Sequence, residues 1–586
     1  MKPLLRLLPY LKRYRTTVIL GVLTVVASNL FTVGQPLVIG RAIDTLKTGL
    51  ETRSLASGDL LLYALLVVGL SLVAGVFTFL TRQTIIVMSR KIEFDLRNDF
   101  LAHLQRLPLS FYQNTPTGDL MAHATNDIGA VRNTLGPGIM YPTDTLMTFT
   151  MVLAIMFSTD WQLTLLALVP MPFVSFAVYR LGKLVHKKFE ERQEKYSELT
   201  TRAQENLSGI RVVRAYVREA FEIARFRTLS REYLEKNLVL ARVQSVMWPL
   251  MFLLVGFSLV ITLYFGGLKV IDGRLTIGTL TAFFGYLVML IWPMIAFGWV
   301  INLLQQGAAS MRRLAKIFDT VPEIGDGPGT DWSITSVRGD VEFRDVQFTH
   351  AGANRPTLSG VSLHIPAGTS LAIVGYTGAG KSTLVNLIPR LYDVTAGAVL
   401  IDGHDVRTIP LAVLRRHIGC VPQETFLFSQ TLSQNIAYGT DAAPHEQVME
   451  SAQVSRIARD VEEFPAGYET MLGERGITLS GGQKQRTSLA RALMRKPRIL
   501  ILDDALSAVD TVTEEEILSG LRAVMKERTS ILISHRISTV KDADQIVVLH
   551  EGRIAERGTH DELVGRGGIY ADLHRKQQLE EELEHL

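Results

Sequence analysis

Hydrophobic positions are distributed along this chain in two unlike ways. Up to about residue 300 they form six long runs, roughly 16–38, 60–80, 139–158, 161–179, 245–266 and 277–300. Each is near the ~20 residues that a helix rising 1.5 Å per residue needs to cross about 30 Å of hydrocarbon, so the pattern predicts six membrane-spanning helices. The first run is too long for a signal peptide and lacks a small-residue cleavage site, so it is expected to stay. Lys2, Arg6, Lys12, Arg13 and Arg15 precede it, which places the amino terminus in the cytosol by the positive-inside rule. Six crossings return the chain to that side, along with the two long loops 81–138 and 180–244. These loops are charged and helix-prone, as at 187–203, and predict helices that continue beyond the bilayer and turn back below it.

The pattern changes after Phe318. Pro322, Gly325, Gly327, Pro328 and Gly329 interrupt any apolar periodicity. Beyond them, short apolar runs at 371–374, 499–502 and 530–533 alternate with helical patterns, as a buried, largely parallel sheet covered by helices requires. The expected organisation is an all-α six-helix transmembrane domain over 1–320, a linker over 321–337, an α/β domain over 338–575 and a charged C-terminal helix over 576–586.

Composition narrows the function classes. Of the 586 residues, 47% are hydrophobic and 20% charged, which excludes a disordered chain. A single cysteine, Cys420, excludes an internal disulfide and Cys-rich metal sites. The formal net charge is only +4, and basic residues beside apolar spans follow from topology, so no nucleic-acid partner is expected. The six runs are read as free of acidic side chains, which argues against a fixed proton or cation relay. Arg41 and Asp44, just past the first run, are placed at an outer vestibule.

Gly375-Tyr376-Thr377-Gly378-Ala379-Gly380-Lys381-Ser382 fits G-x-x-x-x-G-K-[ST] and directly follows the apolar run ending at Val374, the strand context that a phosphate-binding loop needs. Its glycines let backbone N–H groups curl around a β-phosphate, Lys381 supplies charge to the β- and γ-phosphates, and Ser382, followed by Thr383, offers a hydroxyl to Mg2+. Asp503, ending the apolar run 499–502, is the expected second holder of the metal.

Further residues carry a family resemblance. Leu479-Ser480-Gly481-Gly482-Gln483 resembles the signature of ATP-binding cassette (ABC) proteins. Gln423 resembles the Q-loop glutamine that also reaches the metal, Ser507-Ala508-Val509-Asp510 the D-loop, His535 the switch histidine, and Thr470 to Gly476 the X-loop of exporters. Six spans ahead of the cassette complete the likeness to a half-transporter of the multidrug-exporter type over essentially the whole chain. The resemblance implies an α/β P-loop cassette that hydrolyses ATP with Mg2+, working in a multi-pass protein of the cytoplasmic membrane. It also implies a dimer in which two cassettes sandwich two ATP molecules. The Lys381 loop of one chain then faces Ser480, Gly481, Gly482 and Gln483 of the other, so ATP joins the cassettes and hydrolysis releases them. Membrane lipids and a small amphipathic substrate are the other implied partners.

The chain departs from that family at several positions. Most hydrolytic members place Glu after the magnesium Asp, where it polarises the attacking water; here Asp504 falls one methylene short, roughly 1.5 Å of reach. A slow site is expected. Heterodimeric exporters resemble this chain where one subunit carries Asp with an intact signature and its partner carries Glu, which makes a heterodimer the expected assembly; the alternatives are a slow-hydrolysing homodimeric exporter, with Asp504 working through a backbone adjustment, and a lipid flippase. His350 stands where an adenine-stacking Tyr is usual, and imidazole is the smaller platform. His123 occupies a position where Arg is common. Phe111-Tyr112, Gly118-Asp119-Leu120 and Asn126-Asp127 resemble the first coupling segment, and 205–211 the second. The last span, with Phe283, Tyr286, Met289, Trp292, Phe297, Trp299, Asn302, Gln305 and Gln306, is the expected translocation path.

Overall fold

The computed structural model describes residues 2–52, 57–440, 443–473, 476 and 478–584. Glu474 and Arg475 of the expected X-loop lie outside the described residues, as do the Phe297 side chain and the last two residues. The chain divides into two compact units, 1–102 with 118–319 and 103–117 with 320–586.

The first unit is helical. Among the described residues, five of its helices are long and apolar enough to cross a membrane: Arg15–Thr52, Gly58–Leu104, Thr117–Thr159, Glu219–Ile271 and Ile277–Phe318. The fourth expected span is divided. Trp161–Leu168 ends before Pro170, whose missing N–H breaks the helical ladder, and Met171–Ser208 continues it. At 1.5 Å per residue the 53 residues of Glu219–Ile271 reach about 80 Å, far beyond ~30 Å of hydrocarbon, as the charged loops predict. The turn between the third and fourth spans is fixed by Asp160, which accepts the Leu163 N–H at 2.9 Å and pairs with Lys269 at 2.5 Å.

Three expectations for this unit change. Asp44 is held in a helix contact: it accepts the Gly278 N–H at 2.8 Å and the Thr276 hydroxyl at 2.6 Å. The helices meet here at Gly40 and Gly278, where a Cβ on Gly278 would stand 1.8 Å from the Gly40 oxygen. Phe283 and Tyr286, expected along the translocation path, are 1% and 2% exposed and pack with Val33, Val152, Met156 and Leu287. The Tyr286 hydroxyl donates to the Val33 carbonyl at 3.1 Å. Trp292 and Trp299 remain exposed. Finally, the third run does carry an acid, Asp144, which accepts the Asn29 amide at 2.8 Å.

The second unit contains two sheets. Strands β1 (Val341–Phe348), β2 (Leu358–Ile365), β3 (Ser370–Val374), β4 (Ala396–Ile401), β5 (His404–Asp405) and β6 (Ile418–Val421) come first. They are followed by β7 (Ile499–Asp503), β8 (Thr529–Ile533), β9 (Gln545–His550) and β10 (Arg553–Gly558). The larger sheet has the order β10-β9-β3-β8-β7-β6, parallel from β9 to β6. Every residue of β7 and β8 is buried, because helices cover both faces. A four-stranded antiparallel sheet, β2-β1-β4-β5, stands beside it, and the apolar runs did not announce it. Residues 331–337 of the expected linker are fastened to this unit, with the Asp331 N–H on the Thr408 carbonyl at 2.7 Å and Val337 in the core. The final helix, Ile569–Glu584, is only partly solvated: Tyr570 is fully buried against Val374, Val548 and Leu563.

Segment 103–117 belongs to this unit although it lies between membrane helices in sequence. Its helix Leu109–Asn114 is joined to the rest of the unit by Gln113, whose amide donates to the Tyr392 hydroxyl at 2.7 Å.

Candidate active site

The carboxyl ends of β3, β8, β7 and β6 lie side by side, and each delivers a polar group just beyond its last residue, where ligands bind in parallel sheets. After β3 the chain enters the glycine loop. Gly375 has φ +147°, and a Cβ there would lie 2.2 Å from the Leu549 oxygen. Gly380, at φ +98°, caps the helix Lys381–Asn386. Glycine is required at both positions by backbone conformation and close approach. Lys381 is buried, with Nζ donating to the carbonyls of Gly375 and Tyr376 at 2.8 and 3.0 Å. Burial pulls its ammonium below the usual lysine value, against the opposing charges of Asp504 and Asp503.

Asp503 ends β7, and burial pushes its carboxyl up from the ordinary value of 3.8. The Ser382 hydroxyl counters this, Asp504 adds to it as a like charge, and Lys381 and His535 oppose it. Asp504 adopts φ +52°, a left-handed conformation that Asp tolerates better than most residues. His535 follows β8, and its Nε2 stands 3.6 Å from Asp504 Oδ2. Gln423 follows β6. These groups enclose one cavity of about 250 Å³, lined by Thr377, Gly378, Gly380, Lys381, Ser382, Thr383, Gln423, Asp503, Asp504 and His535, together with Thr357 and Ile533. Gly375 and Ala379 shape the loop from within, and Ala379 is buried.

Other expected site residues lie elsewhere. His350 lines a second cavity of about 430 Å³ with Gln113, Asn114, Phe348 and Tyr392. Its ring packs edge-on to Phe348 and Tyr392, and its Nε2 is 3.4 Å from the Thr383 hydroxyl. Asp510 caps the helix Thr511–Met525 by accepting the Thr513 N–H at 2.9 Å. Ser480 caps the helix Gly481–Met494 in a capping box, with the Gln483 N–H on its hydroxyl and its own N–H on the Gln483 side chain at 2.9 Å. None of residues 480–483 is among the residues lining the phosphate cavity of this chain.

Sequence reasoning missed Gln485. It is 4% exposed, and its amide donates to the Ser507 hydroxyl at 2.9 Å and the Asp504 carbonyl at 3.4 Å, while its oxygen accepts the Ala508 N–H at 2.9 Å. It thereby ties the helix that starts at the Ser480 cap to the backbone of Asp504. A polar residue among buried positions of an amphipathic helix was the available clue.

Comparison with known proteins agrees with this arrangement. Residues 18–294 match the family "ABC transporter transmembrane region" and residues 358–507 the family "ABC transporter". The chain is 37% identical over 571 residues to the probable multidrug resistance ABC transporter ATP-binding/permease protein YheI of Bacillus subtilis, covering 97% of each. It is 38% identical over 496 residues to an ATP-dependent lipid A-core flippase of Syntrophus aciditrophicus, covering 85% of this chain and 82% of that one. Among solved structures it resembles a bacterial Atm1-family ABC exporter with ATP bound, with TM-score 0.78 and 30% identity over 97% of this chain and 98% of that one.

Proposed function

Since this chain belongs to the ABC transporter family, as an exporter that joins membrane and cassette parts in one polypeptide, we propose that it exports amphipathic drugs, lipids or peptides by alternating access. It is an ATP hydrolase coupled to transport, a translocase of the cytoplasmic membrane with its cassette in the cytosol. In this reading 1–320 form the membrane domain and 338–575 the nucleotide-binding domain, joined through 321–337.

The observation that carries the reading is the convergence of Lys381, Ser382, Gln423, Asp503, Asp504 and His535 on one cavity behind a glycine loop. Successive loop N–H groups hold the β-phosphate of ATP, and Lys381 turns from the loop carbonyls towards the γ-phosphate. Ser382, Gln423 and Asp503 offer a hydroxyl, an amide oxygen and a carboxylate, hard oxygen donors that suit Mg2+. When bound, that ion supplies neutralising charge to the phosphates. Asp504 orients the attacking water, with His535 beside it. Ser480 to Gln483 and Asp510, away from this chain's own cavity, serve the ATP held by the partner, so the working unit is a dimer. His350, beside Thr383, borders the nucleotide on its adenine side.

Asp504 makes the site on this chain a slow one, and the partner is a second half-transporter carrying Glu at that position. Steady-state phosphate release by this chain alone tests the assignment: sluggish turnover supports it, and brisk turnover abolished by Asp504→Asn overturns it. A second reading, lipid flipping, is favoured by the likeness to a lipid A-core flippase. Reorientation of a fluorescent lipid in vesicles, set against uptake of a fluorescent drug, separates the two.

A further inference from the structure

Asp144 is the one acidic residue within the six apolar runs, 15 positions before the end of its helix at Thr159 and therefore about 22 Å along the axis from that end. A carboxylate at such depth is costly unless it is paired or faces a polar path. One oxygen accepts the Asn29 amide at 2.8 Å, and no basic side chain among the described residues pairs with either oxygen. Asn29 is itself fixed. It is 5% exposed, its amide also donates to the Val25 carbonyl at 3.1 Å, and its oxygen accepts the Thr148 hydroxyl. The acid is thus positioned by a neutral, rigid support and has no basic partner among the described residues.

Its surroundings point to a kind of ligand. Tyr141 precedes Asp144 by three residues, on the same face of the helix. Its ring meets Trp299 edge-on, with centroids 4.9 Å apart, and Trp299 is 44% exposed. The Thr145 hydroxyl in the same turn is buried without a hydrogen-bond partner. Pro142, inside the helix, has no N–H to give the Gly138 carbonyl. One carboxylate, spare oxygen acceptors and two aromatic rings do not make the six-to-eight-oxygen cage of an inorganic cation such as calcium. They match a large organic cation, drawn by charge and by aromatic faces.

We propose that Asp144, with Tyr141 and Trp299, forms the recognition site for amphipathic organic cations, and that cationic aromatic molecules are a preferred cargo class. This rests on the export reading above and adds to it a residue that selects by charge.

The test uses the full-length protein in nanodiscs and two probes: ethidium, a permanent aromatic cation, and N-phenyl-1-naphthylamine, an uncharged aromatic amphiphile. Fluorescence titration is expected to show that Asp144→Asn weakens ethidium binding about tenfold or more, while Asp144→Glu retains it within about threefold. Binding of the neutral probe is expected to change little in either variant. Equal ethidium affinity in wild type and Asp144→Asn overturns the proposal. So does equal loss of both probes in a variant that elutes like wild type, because that result assigns Asp144 to helix packing. Ethidium binding that depends on Asp144 but is never followed by ATP-driven movement in vesicles leaves the site standing and removes the export reading. Movement of neutral amphiphiles with no Asp144-dependent ethidium binding does the reverse.

Discussion

The Asp504 carboxylate stands 3.6 Å from the His535 imidazole, on a backbone hydrogen-bonded on both sides. The Asp504 N–H donates to the Ile533 carbonyl at 2.9 Å, its own carbonyl accepts from buried Gln485, and its φ is +52°. Both hydrogen bonds oppose a shift that would make up for the missing methylene. The proposed role of Asp504 in holding the attacking water makes side-chain length the quantity to vary.

Asp504→Glu is expected to raise ATP turnover by about tenfold or more, since displacement on the ångström scale can cost up to ~100-fold. Asp504→Asn is expected to abolish it. Phosphate release in nanodiscs is the measurement, and indistinguishable rates for Asp504→Glu and wild type would contradict the prediction. The left-handed backbone disfavours Glu, so a lower melting temperature should accompany the faster rate.

Gln485 touches the backbone of the Asp504 and Ser507 segment and acts as a positioning residue. Gln485→Leu keeps its size but leaves the Ala508 N–H without its partner, and a fall in kcat of about tenfold is expected, with KM for ATP changed by less than about threefold. A selective rise in KM would instead place Gln485 in nucleotide binding.

Tyr392 joins the cassette to the helix Leu109–Asn114 through a hydrogen bond from Gln113. Tyr392→Phe removes only the hydroxyl and keeps the ring against Phe348 and His350. Binding of a fluorescent ATP analogue should be unchanged, whereas the ratio of cargo-stimulated to basal ATPase should fall. An unchanged ratio would show that this bond carries no mechanical signal.

Burial raises the Asp503 carboxyl above 3.8, so it takes up a proton at a higher pH than an ordinary aspartate. Holding Mg2+ needs the carboxylate, and Mg2+-dependent nucleotide affinity should weaken on acidification before ordinary carboxylates titrate. The effect on folding has the opposite sign. The folded state binds this proton more tightly than the unfolded chain does, so the contribution of Asp503 to stability declines as pH rises through the interval between the two values. Nucleotide titrations and melting temperatures across acidic pH should show both trends, and Asp503→Asn should remove both.

Six apolar runs and the P-loop were legible in the sequence because run length and glycine spacing are local properties. The break at Pro170 was not, since hydropathy averages over it while the missing N–H does not. Phe283 and Tyr286 looked like cargo surface and turned out to pack the helix core, because composition does not say which face of a helix meets a neighbour. Asp144 was hidden in a run whose average remained apolar. The antiparallel sheet escaped because β1 and β2 mix buried and exposed positions, giving no continuous apolar run. Gln485 needed coordinates: its importance lies in contacts with residues 19 to 23 positions away in sequence.

The central claim, that ATP joins the glycine loop of one chain to the Ser480 helix of another, can be measured by cross-linking. Cys420 is only partly exposed and burial pushes its thiol up to about 12, so introduced cysteines react against little background. Two copies of this chain present the same glycine loop and Ser480 helix to each other as the chain presents to any partner, so the chain bearing Thr377→Cys, Ser480→Cys and the hydrolysis-blocking Asp504→Asn, treated at high density in nanodiscs with a short bismaleimide, should yield a covalent dimer with ATP and Mg2+ and little with ADP. A product that stays monomeric at saturating ATP, or a dimer formed equally with both nucleotides, would contradict the account.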